Sequence, residues 1–187
     1  NLYPGYTVYK NPTVKNVTDA TTGVQPCYLQ MRMKIKDEDG KMVTNQEVLN
    51  MVRQTIRYDD TYNGSWDTTG EGKKLRQGRI PGYSEKELAM LPMVNPNFQE
   101  VDTGNLGEYL FQYQGGKNGI MDIDEEAVLF TDVAIPIEWG VKEIKKAGRF
   151  QIQVTAEAIQ ANGFASARDA FQVLGESVEK GALDEQG

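Results

Sequence analysis

The chain has 187 residues, no histidine and a single cysteine, Cys27. Without imidazole there is no Ser-His-Asp or Cys-His relay, no HExxH metalloprotease helix and no histidine-built zinc site. A lone thiol cannot close an intrachain disulfide. It sits in the apolar run PCYLQMRMKI, where a thiol acts as a small buried hydrophobe. Long apolar runs are also missing: none approaches the roughly 20 residues of a membrane helix, and the mean hydropathy is −0.54. Basic charge is scarce, with 20 Lys/Arg against 27 Asp/Glu and a net charge of −7. An acidic chain without a basic stripe argues against nucleic acid as a partner. No Gly-rich phosphate loop is present, Gly115-Gly116 being a bare turn. The chain is long enough for one domain with a real core.

The charge is unevenly spread. Residues 1–36 carry five Lys/Arg against one acidic residue, and residues 120–187 carry six against 13. Ordinary solubility accounts for such a balance, and head-to-tail attraction between copies is the other reading.

What the chain has is alternation. In Arg149 to Ala158 the apolar residues Phe150, Ile152, Val154, Ala156 and Ala158 fall on one side of an extended strand. Arg149, Gln151, Gln153, Thr155 and Glu157 fall on the other. Period two marks a strand with one buried and one wet face. Pro26 to Lys36 alternates in the same way, with Cys27, Leu29, Met31, Met33 and Ile35 on the apolar side. Tyr6 to Lys10 and Thr13 to Val17 read as one strand interrupted at Asn11-Pro12, since proline cannot donate to a ladder. Glu108 to Gln114 and Ala127 to Pro136 add further strands. Helical chemistry is confined to connections. A Thr44–Glu47 capping box precedes Val48, Met51, Val52, Thr55 and Ile56 at helical spacing. A Ser84–Glu87 box opens a short turn ended by Pro92, Trp139 to Ala147 is a helical turn, and Ser166 to Leu174 a short helix. Many alternating strands without βαβ units predict a mainly β fold: an antiparallel jelly-roll-like sandwich with short helices in its connections. The whole of 1–187 is read as a single domain, and 41–107 as an insertion of helix and loop within the β framework.

No cluster nominates a catalytic residue or a cofactor. Asp37-Glu38-Asp39-Gly40 lacks the EF-hand spacing, because Lys41 and Val48 stand where ligands are needed. Asp122 and Asp124 share a face if their segment is extended, which makes them weak candidates for a cation, with a plain acidic turn as the alternative.

Three segments, in this order, are similar to a known family. They are LYPGYTVYKNPTVKN at 2–16, LFTDVAIP at 129–136 with Trp139 behind it, and FQIQVTAEAIQANGFASARDAF at 150–171. Together with YLQMRMKI they cover between a quarter and a third of the chain and resemble the TasA/camelysin family of secreted Gram-positive proteins. The resemblance implies a jelly roll released by a dedicated signal peptidase, which builds extracellular biofilm-matrix fibres as a homopolymer. Assembly is by donor-strand exchange, in which a segment of one subunit adds to the sheet of the next. It implies no catalysis, and the casein-cleaving activity ascribed to some relatives finds no histidine ligand here. This chain starts essentially on the L-x-P-G turn, so the first strand or strands are expected to lie ahead of it. An uncovered sheet edge or groove is the consequence. Tyr6, Val8, Phe150, Ile152 and Val154 are the candidates for that edge. The alternative is a cell-surface adhesin or glycan-binding module that uses the insertion, with Tyr62 and Trp66 as contact residues and other matrix proteins or glycans as partners.

Overall fold

The computed structural model describes residues 3–17, 25–60 and 84–173. Of the described residues 35% lie in strands and 21% in helices, and the antiparallel sheets curl into a half-barrel. Tyr62, Trp66 and Leu174 lie outside the described residues.

The framework is a sheet in which β10 (Phe150–Gln160), β3 (Cys27–Asp37), β6 (Glu108–Tyr113) and β5 (Phe98–Val101) pair in that order, while β7 (Ile120–Met121) pairs with the start of β3. The alternation of β3 holds from Met31 to Lys36, whereas Tyr28 and Gln30, on the side read as wet, are buried as well and Cys27 is half-buried. Leu29, Met31, Met33 and Ile35 are at most 1% exposed, and burying each such side chain is worth roughly 1.5–3 kcal/mol. The opposite side of β3 is covered in two ways. Tyr28 is buried under Ala167, Ala170 and Phe171 of helix α4 (167–173). Arg32 is held between Glu108 on β6 at 2.7 Å and Glu157 on β10 at 3.0 Å, so one guanidinium ties three strands together.

A smaller sheet faces the inner side of the large one. Its strands are β1 (Thr7–Tyr9), β9 (Asp132–Ala134) and β4 (Ile56–Arg57), in the order β1-β9-β4. The row Val8–Val133–Ile56 crosses it, and Val133 and Ile56 join Leu29, Met31, Met33, Ile35 and Ile152 in one core. Beyond Asn11-Pro12 the chain continues as β2 (Thr13–Lys15), paired with β8 (Glu126–Val128). The break costs ladder pairing but not register: Lys10 N–H donates to the Thr131 carbonyl and Leu129 N–H to the Pro12 carbonyl. The single interrupted strand read from sequence is thus two short strands in one register, facing a partner that is interrupted opposite.

The described residues of 41–107 are woven into this framework. Helix α1 (Gln46–Thr55) places Leu49 and Val52 in the core, β4 joins the small sheet and β5 the large one. The start of α1 corrects the sequence reading. Asn45, not Thr44, is the cap, its side-chain oxygen accepting from the Glu47 and Val48 amides, because Asn reaches the orphan donors of the first turn at least as well as Thr. Helix α2 (Glu85–Met90) opens with the expected Ser84–Glu87 capping box. Helix α3 (Val141–Ala147) ends at Gly148, whose φ of 63° suits glycine. The turn into β6 also requires glycine. Gly107 has φ +79°, and a Cβ there would stand 2.5 Å from the Val43 carbonyl oxygen.

Candidate functional site: an open sheet edge

β10 is the last strand of the large sheet, and among the described residues β3 is its only strand partner. Antiparallel pairing sends the main-chain groups of successive residues to alternate sides. Ala161 N–H donates to the Pro26 carbonyl, whereas Ile35 on β3 bonds Gly107 on its far side. The register then assigns Gln151, Gln153, Thr155, Glu157 and Ile159 to the β3 ladder. The amides and carbonyls of Phe150, Ile152, Val154, Ala156 and Ala158 point away from β3. Those same residues carry the apolar inward face. The edge that is open for hydrogen bonding therefore belongs to residues whose side chains face the space between the sheets.

That inward face is covered only at its start. Ile152 is buried, Phe150 and Val154 are half-buried, and Ala156 and Ala158 are exposed. Where β10 stands opposite β1, the two sheets leave a groove of about 420 Å³ lined by Val8, Lys10, Val133, Phe150, Gln151 and Ile152. It is the mouth of the core, since Val133 and Ile152 belong to the main hydrophobic cluster and Phe150 packs against it. The Lys10 ammonium crosses this mouth and donates to the Ile152 carbonyl.

The structure brings Val8, Phe150 and Ile152 together as walls of one groove. Val154 is next on the same face of β10, packed against the core. Tyr6 is not a wall. It packs with Ile135, Trp139, Ala147 and Phe150 in a satellite cluster, its ring 4.6 Å from that of Tyr3. Three groove residues were not nominated from sequence, Lys10, Val133 and Gln151. A lysine on a short strand next to a proline is a usual mark of an edge, and that signal was present in YKNP.

The acidic turn is arranged around Glu125 instead of around a space for a cation. Glu125 accepts the Asp122 amide at 2.8 Å and the Tyr113 hydroxyl. Burial, and then this bond to a carboxylate, push the Tyr113 phenol well above its usual range. Asp122 Oδ1 accepts the Ile123 amide, and Asp124, at φ 63°, faces Lys15 at 3.8 Å on the surface. Among the described residues no three Cys, Asp or Glu side chains converge as metal ligands. At Asp37 the carboxylate accepts the amides of Asp39 and Lys41 and so closes its own hairpin turn. Burial, with Glu125 nearby, pushes the Cys27 thiol up and away from the reactive thiolate. Under the small sheet the Asp59 amide donates to Thr131 Oγ1, whose hydroxyl donates to Asp132 at 2.8 Å. This pins β9 in place beside the groove. No helix among the described residues is long and apolar enough to cross a membrane.

No family model matches this chain, and neither a curated protein nor a solved structure matches it.

Proposed function

We propose that this chain is a non-catalytic structural subunit of an extracellular fibre, assembled by adding a strand of a second copy along β10. The observation that carries the reading is that, among the described residues, no strand pairs with the outer edge of β10, and the residues of that edge carry the partly uncovered apolar face. An added strand would gain ladder hydrogen bonds and bury Val154, Ala156 and Ala158 in one step. Main-chain bonding gives such an addition its affinity, and alternate side chains give it register. A long open edge left exposed is a liability that folds ordinarily cover. On this reading the half-barrel is a jelly-roll sandwich completed at the β1–β10 mouth by its neighbour. The resemblance of residues 2–16, 129–136 and 150–171 to the TasA/camelysin family supports the same assembly, and with it secretion and a place in a biofilm matrix.

The test uses a substitution that touches only the open edge. The Ala156 amide points away from β3 and its side chain is exposed, so Ala156→Pro removes one outward donor and leaves the β3 ladder complete. Electron microscopy of the concentrated protein should find filaments with Ala156 and none with Ala156→Pro, at comparable thermal stability. Filaments in both proteins would move assembly to another surface.

A further inference from the structure

A second concavity lies on the outer face of the large sheet, apart from the β10 edge. A row of polar residues crosses that face. Glu157 on β10, Gln30 on β3, Gln112 on β6 and Gln99 on β5 stand opposite one another in turn. The row has a direction. Arg32 donates to Glu157 at 3.0 Å, the Gln30 side-chain amide donates to the same carboxylate, and Gln112 donates to the Gln30 oxygen at 3.4 Å. A carboxylate only accepts, so it fixes which end of each carboxamide gives and which receives. Gln112 Oε1 is left as an acceptor that takes no bond from the described residues. The row ends in a groove of about 220 Å³ lined by Gln99, Gln112, Gln114, Asn118 and Arg168. Asn118 stands at the tip of the tight hairpin between Lys117 and Ile120, and Arg168 on α4. Gln99, Gln114, Asn118 and Arg168 are exposed, and their side chains make no hydrogen bond or ion pair with the described residues.

We propose that this groove binds one ring of an acidic sugar, a uronic acid, with its hydroxyls on the carboxamides and its carboxylate on Arg168. A carboxamide offers both a donor and an acceptor, which is what adjacent sugar hydroxyls need. A guanidinium takes a carboxylate through two parallel bonds. Arg168 is the one charged residue among the described lining residues, and one cation suits a monoanion better than a phosphate. A nucleobase would need a ring to stack on, and the lining aromatic, Tyr113, is only 4% exposed. The volume is below the roughly 300–1,000 Å³ of sites for drug-sized ligands, which restricts the occupant to a ring-sized group. Gln112 is oriented by its row before the sugar arrives, so binding need not order it. The site is separate from β10 and does not depend on strand addition.

The probes are galacturonic acid, galactose and the linear trimer of galacturonic acid, each titrated into the full chain. Binding is read from the side-chain amide resonances of Gln99, Gln112 and Asn118. The acid should bind about tenfold more tightly than galactose, the gap expected of one charge-assisted pair, and added salt should narrow it. The trimer should bind within about tenfold of the single acid, because the groove holds one ring. Arg168→Gln, at an exposed position, should abolish the preference for the acid and leave galactose binding unchanged. Gln112→Leu should weaken both sugars about tenfold. Gln99→Ala, also at an exposed position, should weaken both as well and guards against a loss caused by misfolding. Equal affinity for acid and neutral sugar, or a preference that survives in Arg168→Gln, overturns the assignment of the carboxylate to Arg168. A trimer bound far more tightly than tenfold overturns the single-ring limit. If no sugar moves those three side-chain resonances, the site itself falls, and strand addition at β10 is untouched.

Discussion

β3 and β10 are neighbours of equal length, 11 residues each, in register from end to end. Both alternate, and both turn an apolar face inward. Yet on β3 the inward residues Leu29, Met31, Met33 and Ile35 are sealed, while on β10 the face runs from buried Ile152 to exposed Ala156 and Ala158. The difference lies in partners. β3 is hydrogen-bonded on both sides, by β10 and by β6 with β7, and its face is roofed by α1 and the small sheet. Among the described residues β10 has a strand on one side. A strand's own side chains decide which face is apolar, and its neighbours decide whether that face and edge are finished.

Proline breaks the equivalence of adjacent positions on β10 most sharply. Thr155 bonds β3 and its neighbour Ala156 faces outward, so Thr155→Pro should cost about 3 kcal/mol or more, against less than about 1 for Ala156→Pro. Chemical denaturation of the two variants measures the gap, and equal losses would mean that the edge assignment is wrong. Truncation compares the two inward faces next. Met33→Ala should destabilise by about 2–5 kcal/mol and Val154→Ala by about 1 or less, because only the former leaves a closed cavity.

The alternation that predicted these faces was fully legible, and so were the strands at 27–37, 108–113 and 150–160 and the Ser84 cap, because each is a local pattern of side chains. The pairing of β1 with β9 and the embedding of α1 and β5 were not, since they join residues far apart in sequence. β7, with two residues, is too short to have a period. Val8, Phe150 and Ile152 were nominated from sequence, yet that they face one another across a groove with Lys10 between them is a property of the pairing. Tyr6 was nominated for its place in the same run, but its aromatic bulk fits the satellite cluster around Trp139 better than the groove wall.

The smallest effect concerns the outer face of β3, where Arg32 meets Glu108 of β6. The hydrogen bond from Arg32 holds the Glu108 carboxyl below its usual range. A carboxyl with a depressed folded value stabilises the fold above its ordinary pKa of about 4.3. That contribution disappears as pH falls through the folded value. Melting temperature should therefore drop below about pH 4, and Glu108→Gln should remove part of that drop at a cost of about 1 kcal/mol or less at neutral pH. A pH profile unchanged by the substitution would mean that the Arg32 bridge adds nothing.

Amide hydrogen exchange along β10, in the lone subunit and in the proposed filament, tests the open edge most directly. The Gln153 and Thr155 amides, bonded to β3, should be protected in both. Val154 and Ala156 should exchange fast in the subunit and become protected on assembly. Val154 and Ala156 protected as strongly as Gln153 and Thr155 in the lone subunit would contradict the account, because that edge would already be filled from within the chain.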